Sequence, residues 1–323
     1  MTPDGLIYYP DDRPGITRRR QGRGFSYRAP DGTTIASRRE RARIEALAVP
    51  PAYSAVWISP RINGHLQATG RDAAGRKQYR YHVDWTAFRA QCKFNDLPRF
   101  GAALPRLRQK IREGLEGEPG SRDFALAAVL GLIDQLSLRP GHVDYAEENG
   151  SYGATTLRSR HLNVRKDALS LSFTAKGGAK VRTELTDRRL ARALGRLDDL
   201  PGAPVATWLD GETPRAVTPE MLSRHIAELT GEEGLTPKAF RTWNGSVAAM
   251  EVALRQPEPT ITAMAEAAAK RLHNTPKIAR NSYIHPDVIA LSDSSETDRA
   301  RLAQARTPAR LRKAERALLA LIG

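Results

Sequence analysis

The 323-residue chain carries 51 Lys and Arg against 36 Asp and Glu, a formal charge of +15. That excess points to a polyanionic partner, nucleic acid first and an anionic membrane surface second. An apolar fraction of 40% suffices for a core and excludes wholesale disorder, and a single cysteine excludes a disulfide framework or a multi-cysteine metal site.

Phe25–Tyr27 and Thr33–Ile35 flank Asp31-Gly32 and read as a hairpin, and Ser37–Ala48 reads as a short helix. Val56–Ile58, His65–Thr69 and Lys77–His82 read as strands, so the first part of the chain is expected to form a small antiparallel sheet. From about Asp84 the apolar period becomes helical, through Asp84–Asn95, Ala103–Leu115 and Arg122–Leu138. Strands return at Leu162–Val164, Ala168–Thr174 and Lys180–Leu185, with Lys176-Gly177-Gly178 as the turn between the last two. Helices resume at Asp187–Leu197, Pro219–Leu229, Pro237–Ala253, Thr260–Leu272 and Pro308–Leu321, the last either lying on DNA or capping its domain. The expected fold is α+β: a β-rich N-terminal domain, residues 1–85, and a larger, mainly helical domain, residues 86–323, holding a three-stranded sheet. No segment approaches the roughly 20 uninterrupted apolar residues of a membrane span. The polar N-terminus lacks a signal-peptide core, so the chain is expected in the cytoplasm.

Several chemistries lack their residues. There is no phosphate-cradling GxxxxGK(S/T) loop, no dinucleotide-binding GxGxxG and no HExxH, and the seven His are scattered, so no metal or other cofactor is expected. Chemistry on a phosphate must then draw its cations from Arg and Lys. Three elements supply them: Arg139 at the end of the most apolar helix, Lys176 at a hairpin tip, and Arg241 near a helix start. Each alone reads more readily as a solvated charge or a phosphate anchor. A fourth element, His273-Asn274-Thr-Pro276 followed by Ser282-Tyr283-Ile-His285-Pro286, turns them into an ordered set.

The chain resembles the bacterial and poxvirus-type DNA topoisomerases of type IB. The resemblance is carried by Pro50-Pro-Ala-Tyr53 through Trp57-Ile-Ser-Pro60, by Asn63-Gly-His-Leu-Gln-Ala-Thr-Gly-Arg-Asp72, by Gly75-Arg-Lys-Gln-Tyr-Arg-Tyr-His82, and by the set Arg139, Lys176, Arg241, Asn274 and Tyr283. It implies that Tyr283 attacks a DNA phosphodiester to leave a 3′-phosphotyrosyl link. Arg139 and Arg241 would clamp the non-bridging oxygens, and Lys176 would protonate the departing 5′-oxygen. Asn274 stands where many members have His, and its amide would donate a neutral hydrogen bond; His273 is its rival for that role. Relaxation of supercoiled DNA by strand rotation and religation, without ATP or metal, is the implied activity. The implied partner is duplex DNA, clamped by a monomer in the nucleoid, with no membrane. The resemblance also implies DNA contacts by Arg76, Gln78, Tyr79 and Tyr81, with Tyr152 and Lys238 joining them. Strict alternation sends Arg76, Gln78 and Arg80 to one face and Lys77, Tyr79 and Tyr81 to the other, so DNA contact by all four requires a bulge, a twist or partial burial. Trp57 and Trp85 read as core.

A tyrosine site-specific recombinase would share the chemistry, but would show His three residues before the second arginine, where this chain has Lys238. A non-catalytic architectural DNA-binding protein fits the charge but leaves the ordered set unexplained.

Overall fold

The computed structural model describes residues 2–202 and 204–323. They form two compact units, divided between Cys92 and Lys93.

The first unit contains β1 (Ile16–Gln21), β2 (Gly24–Arg28), α1 (Arg38–Ala46), β3 (Ser54–Ile58), β4 (Leu66–Arg71), β5 (Lys77–Tyr81) and most of α2 (Val83–Asn95). Its strands form one antiparallel sheet in the order β2-β1-β3-β4-β5. Ile16, Tyr27, Ile44, Val56, Ile58 and Ala68 make a small core beneath α1. The expected reversal at Asp31-Gly32 is present but short: Ala29 N–H donates to the Thr33 carbonyl, Ile35 N–H donates to the Tyr27 carbonyl, and Thr34 bridges Arg28. A longer hairpin precedes it: β2 pairs with β1 across Gly22-Arg23, where Gly22 takes the positive φ that such a two-residue turn requires. β1 escapes sequence reading because Arg18-Arg-Arg20 has no apolar alternation. Its order comes from neighbours on both sides and from Arg18, whose guanidinium donates to the carbonyls of Val49, Pro50 and Tyr53. That bond set explains the Pro50-Pro-Ala-Tyr53 motif as a loop gripped from the sheet. The Asn63–Asp72 motif is structural in the same way. Gln67 is buried and donates to the carbonyls of Ile62 and Gly64, while His65 accepts from the backbone N–H of Tyr9 and stacks on Tyr8. Trp57 and Trp85, expected in the core, are only half-buried. The Trp57 ring covers Gly15 and donates to the Arg13 carbonyl, while Trp85 meets His65 edge-on.

The second unit contains α3 (Leu97–Gly114), α4 (Arg122–Leu136), α5 (Val143–Asn149), β6 (Leu162–Val164), β7 (Ala168–Thr174), β8 (Lys180–Thr186), α6 (Arg188–Asp198), β9 (Thr207–Asp210), β10 (Thr213–Ala216), α7 (Pro219–Thr230), α8 (Lys238–Arg255), α9 (Ile261–Leu272), α10 (Pro276–Tyr283), α11 (Pro286–Ala290), α12 (Glu296–Ala303) and α13 (Lys313–Ile322). β6, β7 and β8 form the three-stranded antiparallel sheet, and β9 and β10 a separate hairpin. α4 and α8 run through one continuous core, burying nearly every side chain of α4 from Phe124 to Ile133. Trp243, fully buried on α8, lies where Gly101 leaves room and packs edge-on against Phe100.

α13 begins at Lys313 rather than Pro308, because Glu315 caps its first turn from the backbone N–H of Arg312. Its buried face, Ala314, Glu315, Ala317 and Leu318, packs on α3 and α8, so the helix caps the domain. Glu315 has no exposed side-chain surface, and with Asp134 it brackets Arg108 at 2.7–2.9 Å. α5, α10, α11 and α12 were not expected as helices. They run from five to eight residues, too short for a helical period to register in sequence.

Candidate active site

The site is assembled on the end of α4. Ser137 closes that helix in the left-handed conformation, φ +55, which turns the chain so that Arg139 leaves the core. Two residues of α8 hold this turn. Asn244 donates to the Asp134 carbonyl at 2.8 Å and to Ser137 Oγ at 3.0 Å. Arg241, 3% exposed, donates through Nη1 to the Ser137 carbonyl and through Nη2 to that of Leu272, the latter at 3.1 Å. One guanidinium therefore ties α4 to the end of α9.

The segment after Ser137 is clamped from its other side. Ala154 N–H donates to the Arg139 carbonyl at 2.8 Å, and a Cβ on Gly153 would lie 1.8 Å from the Pro140 carbonyl oxygen. Only glycine permits that approach. Tyr152 N–H donates to the Thr174 carbonyl, two residues before Lys176, so the loop that orders Arg139 is also pinned to the strand that leads to Lys176.

Tyr283 is the last residue of α10, which Thr275 N-caps and Pro276 starts. Its backbone presses on α8 at Gly245, where a Cβ would lie 2.7 Å from the Tyr283 carbonyl oxygen. Ser246, fully buried, donates to that same carbonyl at 3.2 Å and accepts from His285 N–H at 2.9 Å. The Tyr283 ring then lies 4.9 Å from the Arg241 guanidinium carbon. Arg139 Nη2 donates to Asn274 Oδ1 at 2.9 Å.

Four predicted residues thus meet: Arg139, Arg241, Asn274 and Tyr283. Burial alone would raise the Tyr283 phenol, but the charges of Arg241 and then Arg139 outweigh it and hold the phenol below its ordinary value. Burial, followed by the like charge of Arg139, brings the Arg241 guanidinium down to about 10. An anion between the two arginines would relieve both effects. Two donors of this site have no partner among the described residues: Arg241 Nε and Asn274 Nδ2 are buried and unbonded. His273, the rival of Asn274, sits at the left-handed cap of α9. Burial and the charges of Arg241, Arg271 and Arg139 all lower its pKa, favouring a neutral ring.

Lys176 does not join this group. It is exposed on the turn between β7 and β8, a turn built on positive φ at Gly177 and Gly178, and makes no hydrogen bond or ion pair among the described residues. Lys238 is exposed one turn before Arg241. The Tyr152 hydroxyl accepts from Arg160 at 2.8 Å, and its ring packs on His161.

In the first unit, alternation along β5 holds. Arg76 and Gln78 both donate to Asp72 Oδ2, while Tyr79 and Tyr81 stack at 6.0 Å with Lys77 over Tyr79. The register of β4 against β5 does shift between Leu66 and Ala68, yet the two sets stay on opposite faces. β5 is the sheet's edge strand, and it is mostly exposed on both faces.

Gly153, Gly245, Ser246 and Lys93 were not anticipated, although Lys93 lies 5.7 Å from the Tyr283 ring centroid. A glycine in the middle of an otherwise strong helix was the available signal for Gly245, since it costs about 1 kcal/mol relative to alanine unless close packing requires it.

Two family descriptions match this chain. Bacterial DNA topoisomerase IB, N-terminal domain, covers residues 24–72, and Eukaryotic DNA topoisomerase I, catalytic core, covers residues 83–281. The chain belongs to the type IB DNA topoisomerases. The second stretch contains Arg139, Lys176, Arg241 and Asn274. DNA topoisomerase 1B of Acanthamoeba polyphaga mimivirus is 26% identical over 286 residues, 84% of this chain and 85% of its own. DNA topoisomerase 1B of Vaccinia virus (strain Copenhagen) is 20% identical over 234 residues, 69% and 71% of the two chains. DNA topoisomerase 1 of Mycosarcoma maydis matches at 23% over 202 residues, 57% of this chain but 19% of its own. The enzyme is therefore an isomerase of DNA, and the recombinase and architectural alternatives fall away. Among the described residues, no helix of this topoisomerase is long and apolar enough to cross a membrane.

Proposed function

We propose that the enzyme relaxes supercoiled duplex DNA through a covalent tyrosyl intermediate, with Tyr283 as the nucleophile. The carrying observation is the Tyr283 phenol beside two guanidiniums, with Arg241 Nε and Asn274 Nδ2 buried and lacking acceptors. Unpaired buried donors are costly, and a phosphodiester's non-bridging oxygens would satisfy them. Tyr283 Oη releases its proton to solvent and attacks phosphorus, the bond to the 5′-oxygen breaks, and the 3′-phosphate is left on the tyrosine. Arg139 and Arg241 stabilise the charge of the five-coordinate transition state, and Asn274 adds a neutral donor. Lys176 delivers the proton to the departing 5′-oxygen; its exposed turn must swing to the bound phosphate to do so. Because the broken strand's bond energy is kept in the phosphotyrosine, resealing by the reverse step requires neither ATP nor a metal.

DNA contacts fall to Gln78, Tyr79 and Tyr81 on the edge strand, to Arg76 just before it, and to Tyr152 and Lys238 in the second unit. A monomer clamped on the duplex, acting at the nucleoid, completes the proposal. The test is relaxation of supercoiled plasmid in EDTA without ATP, with Tyr283→Phe alongside. Full relaxation by the wild type and no covalent adduct from the variant are expected. Activity that requires added magnesium, or an adduct from Tyr283→Phe, overturns the mechanism.

A further inference from the structure

We propose that Lys93 is a positioning residue for the nucleophile, its ammonium holding the Ser282 carbonyl and with it the orientation of the Tyr283 ring. The proposal rests on Tyr283 being the attacking residue.

Lys93 lies in the last turn of α2, and its Nζ donates to the Ser282 carbonyl oxygen. That carbonyl belongs to the final turn of α10, where the helix has no partner of its own to offer and where a cation is favoured by the helix dipole. The peptide it fixes is the one joining Ser282 to Tyr283. The following peptide is fixed from the opposite direction by Ser246 Oγ, which donates to the Tyr283 carbonyl. Tyr283 is thus held through the peptide on each side of it, one by buried α8 and one by Lys93.

The ammonium is 5.7 Å from the Tyr283 ring centroid and 4.3 Å from that of Phe94, packed between faces that attract a cation. It is half-buried, and among the described residues no carboxylate pairs with it. Burying an unpaired ammonium costs free energy, and a simple helix cap could be made by an exposed side chain at lower cost. A fixed cation beside the phenol is suited to hold the ring, and it favours the anion that forms as the proton leaves Oη.

The experiment compares the wild type with K93M and K93R on a suicide duplex whose cleaved end diffuses away. Lys93→Met keeps the apolar stem and removes the donor and charge; Lys93→Arg keeps both. Single-turnover cleavage at saturating enzyme should slow about tenfold or more in K93M, since small misplacements of a reacting group are costly. Noncovalent DNA affinity should stay within about threefold, which assigns the loss to the reaction and not to binding. K93R should recover most of the rate. A 5′-bridging sulfur substrate should not rescue K93M, because a misplaced nucleophile remains misplaced whatever the leaving group. Cleavage at the wild-type rate by K93M overturns the proposal, as does rescue by the sulfur substrate. If K93M does not fold, as judged by circular dichroism, K93Q is measured in its place: it removes the charge and keeps a shorter donor, and a wild-type rate overturns the proposal equally. Tyr283→Phe run in parallel separates the two readings. An adduct from that variant removes Tyr283 as nucleophile, whereas a normal K93M rate beside an inert Tyr283→Phe removes only the role of Lys93.

Discussion

Both units hold arginines that we propose meet phosphate, but they hold them differently. Just before β5, Arg76 rests on Asp72 at the surface, and both partners come from one short stretch of chain. In the second unit, Arg241 is buried and bound to the backbone carbonyls of Ser137 and Leu272, residues far away in sequence. A surface ion pair is easily exchanged for a phosphate. A guanidinium locked to backbone keeps its position whether or not DNA is bound, which is what transition-state stabilisation requires. On the proposed roles, Arg76 binds and Arg241 catalyses, and the two settings suit those tasks.

Buried and exposed ion pairs should differ most. Glu315→Ala strips Arg108 and Arg312 of a buried partner, and should destabilise the second unit by about 3–5 kcal/mol in chemical denaturation. Burial alone would raise the Glu315 carboxyl, but hydrogen bonds from Arg312 and Arg108 hold it well below the ordinary range. Its contribution is therefore complete above the unfolded carboxylate pKa and is lost as pH falls through the depressed folded value. The acid sensitivity of the wild type should thus be blunted in Glu315→Gln, and unchanged acid unfolding would refute that account.

For activity, Arg241→Ala should slow single-turnover cleavage by about 10²–10³-fold, by analogy with loss of an oxyanion donor. Arg76→Ala should leave the rate at saturation untouched and weaken only binding. Equal losses of rate in the two variants would erase the distinction between the units.

Gly245→Ala sharpens the same point without touching a charge. Its Cβ would lie 2.7 Å from the Tyr283 carbonyl oxygen, so overpacking should cost about 1–3 kcal/mol and displace Tyr283. Gly75, at the turn before β5, has open space around it, and the strain of its φ of +77 is the only obstacle to alanine there. Cleavage by Gly245→Ala at the wild-type rate would show that the close approach does not position Tyr283.

A smaller effect concerns pH. With the phenol below its ordinary value, cleavage should level off at lower pH than a free tyrosine would allow. Arg139→Ala removes one of the charges responsible and should move that limb upward. A pH profile of unchanged midpoint in Arg139→Ala would contradict the electrostatic assignment. Smallest of all, Asp72→Ala frees Arg76 and Gln78 and should alter DNA affinity by no more than about threefold, with the change vanishing at high salt.

Much of the second unit was legible from periodicity. α4, α7, α8, α9 and the three-stranded sheet lie close to where the apolar pattern put them, because each is long or alternates against a core. The helix that carries Tyr283 was not legible. α10 has eight residues and only Ala279 buried, so no period forms, although Thr275-Pro276 is a helix-start signal. β1 was missed for the opposite reason: it has a partner strand on each side but a charged sequence. The Gly22-Arg23 turn is hidden with it, because its β1 side lacks apolar alternation, so only the shorter reversal at Asp31-Gly32 is legible.

The sequence by itself determined which functional groups the site possesses and their order along the chain, because guanidinium, amide and phenol are properties of single residues. Only the tertiary structure decided that Arg139, Arg241, Asn274 and Tyr283 meet while Lys176 waits on an exposed turn. Their meeting depends on a left-handed Ser137, on contacts that only Gly153 and Gly245 permit, and on backbone carbonyls that any residue could have supplied. Backbone acceptors and empty space leave no mark in the side-chain alphabet, so they become visible only when the chain is folded.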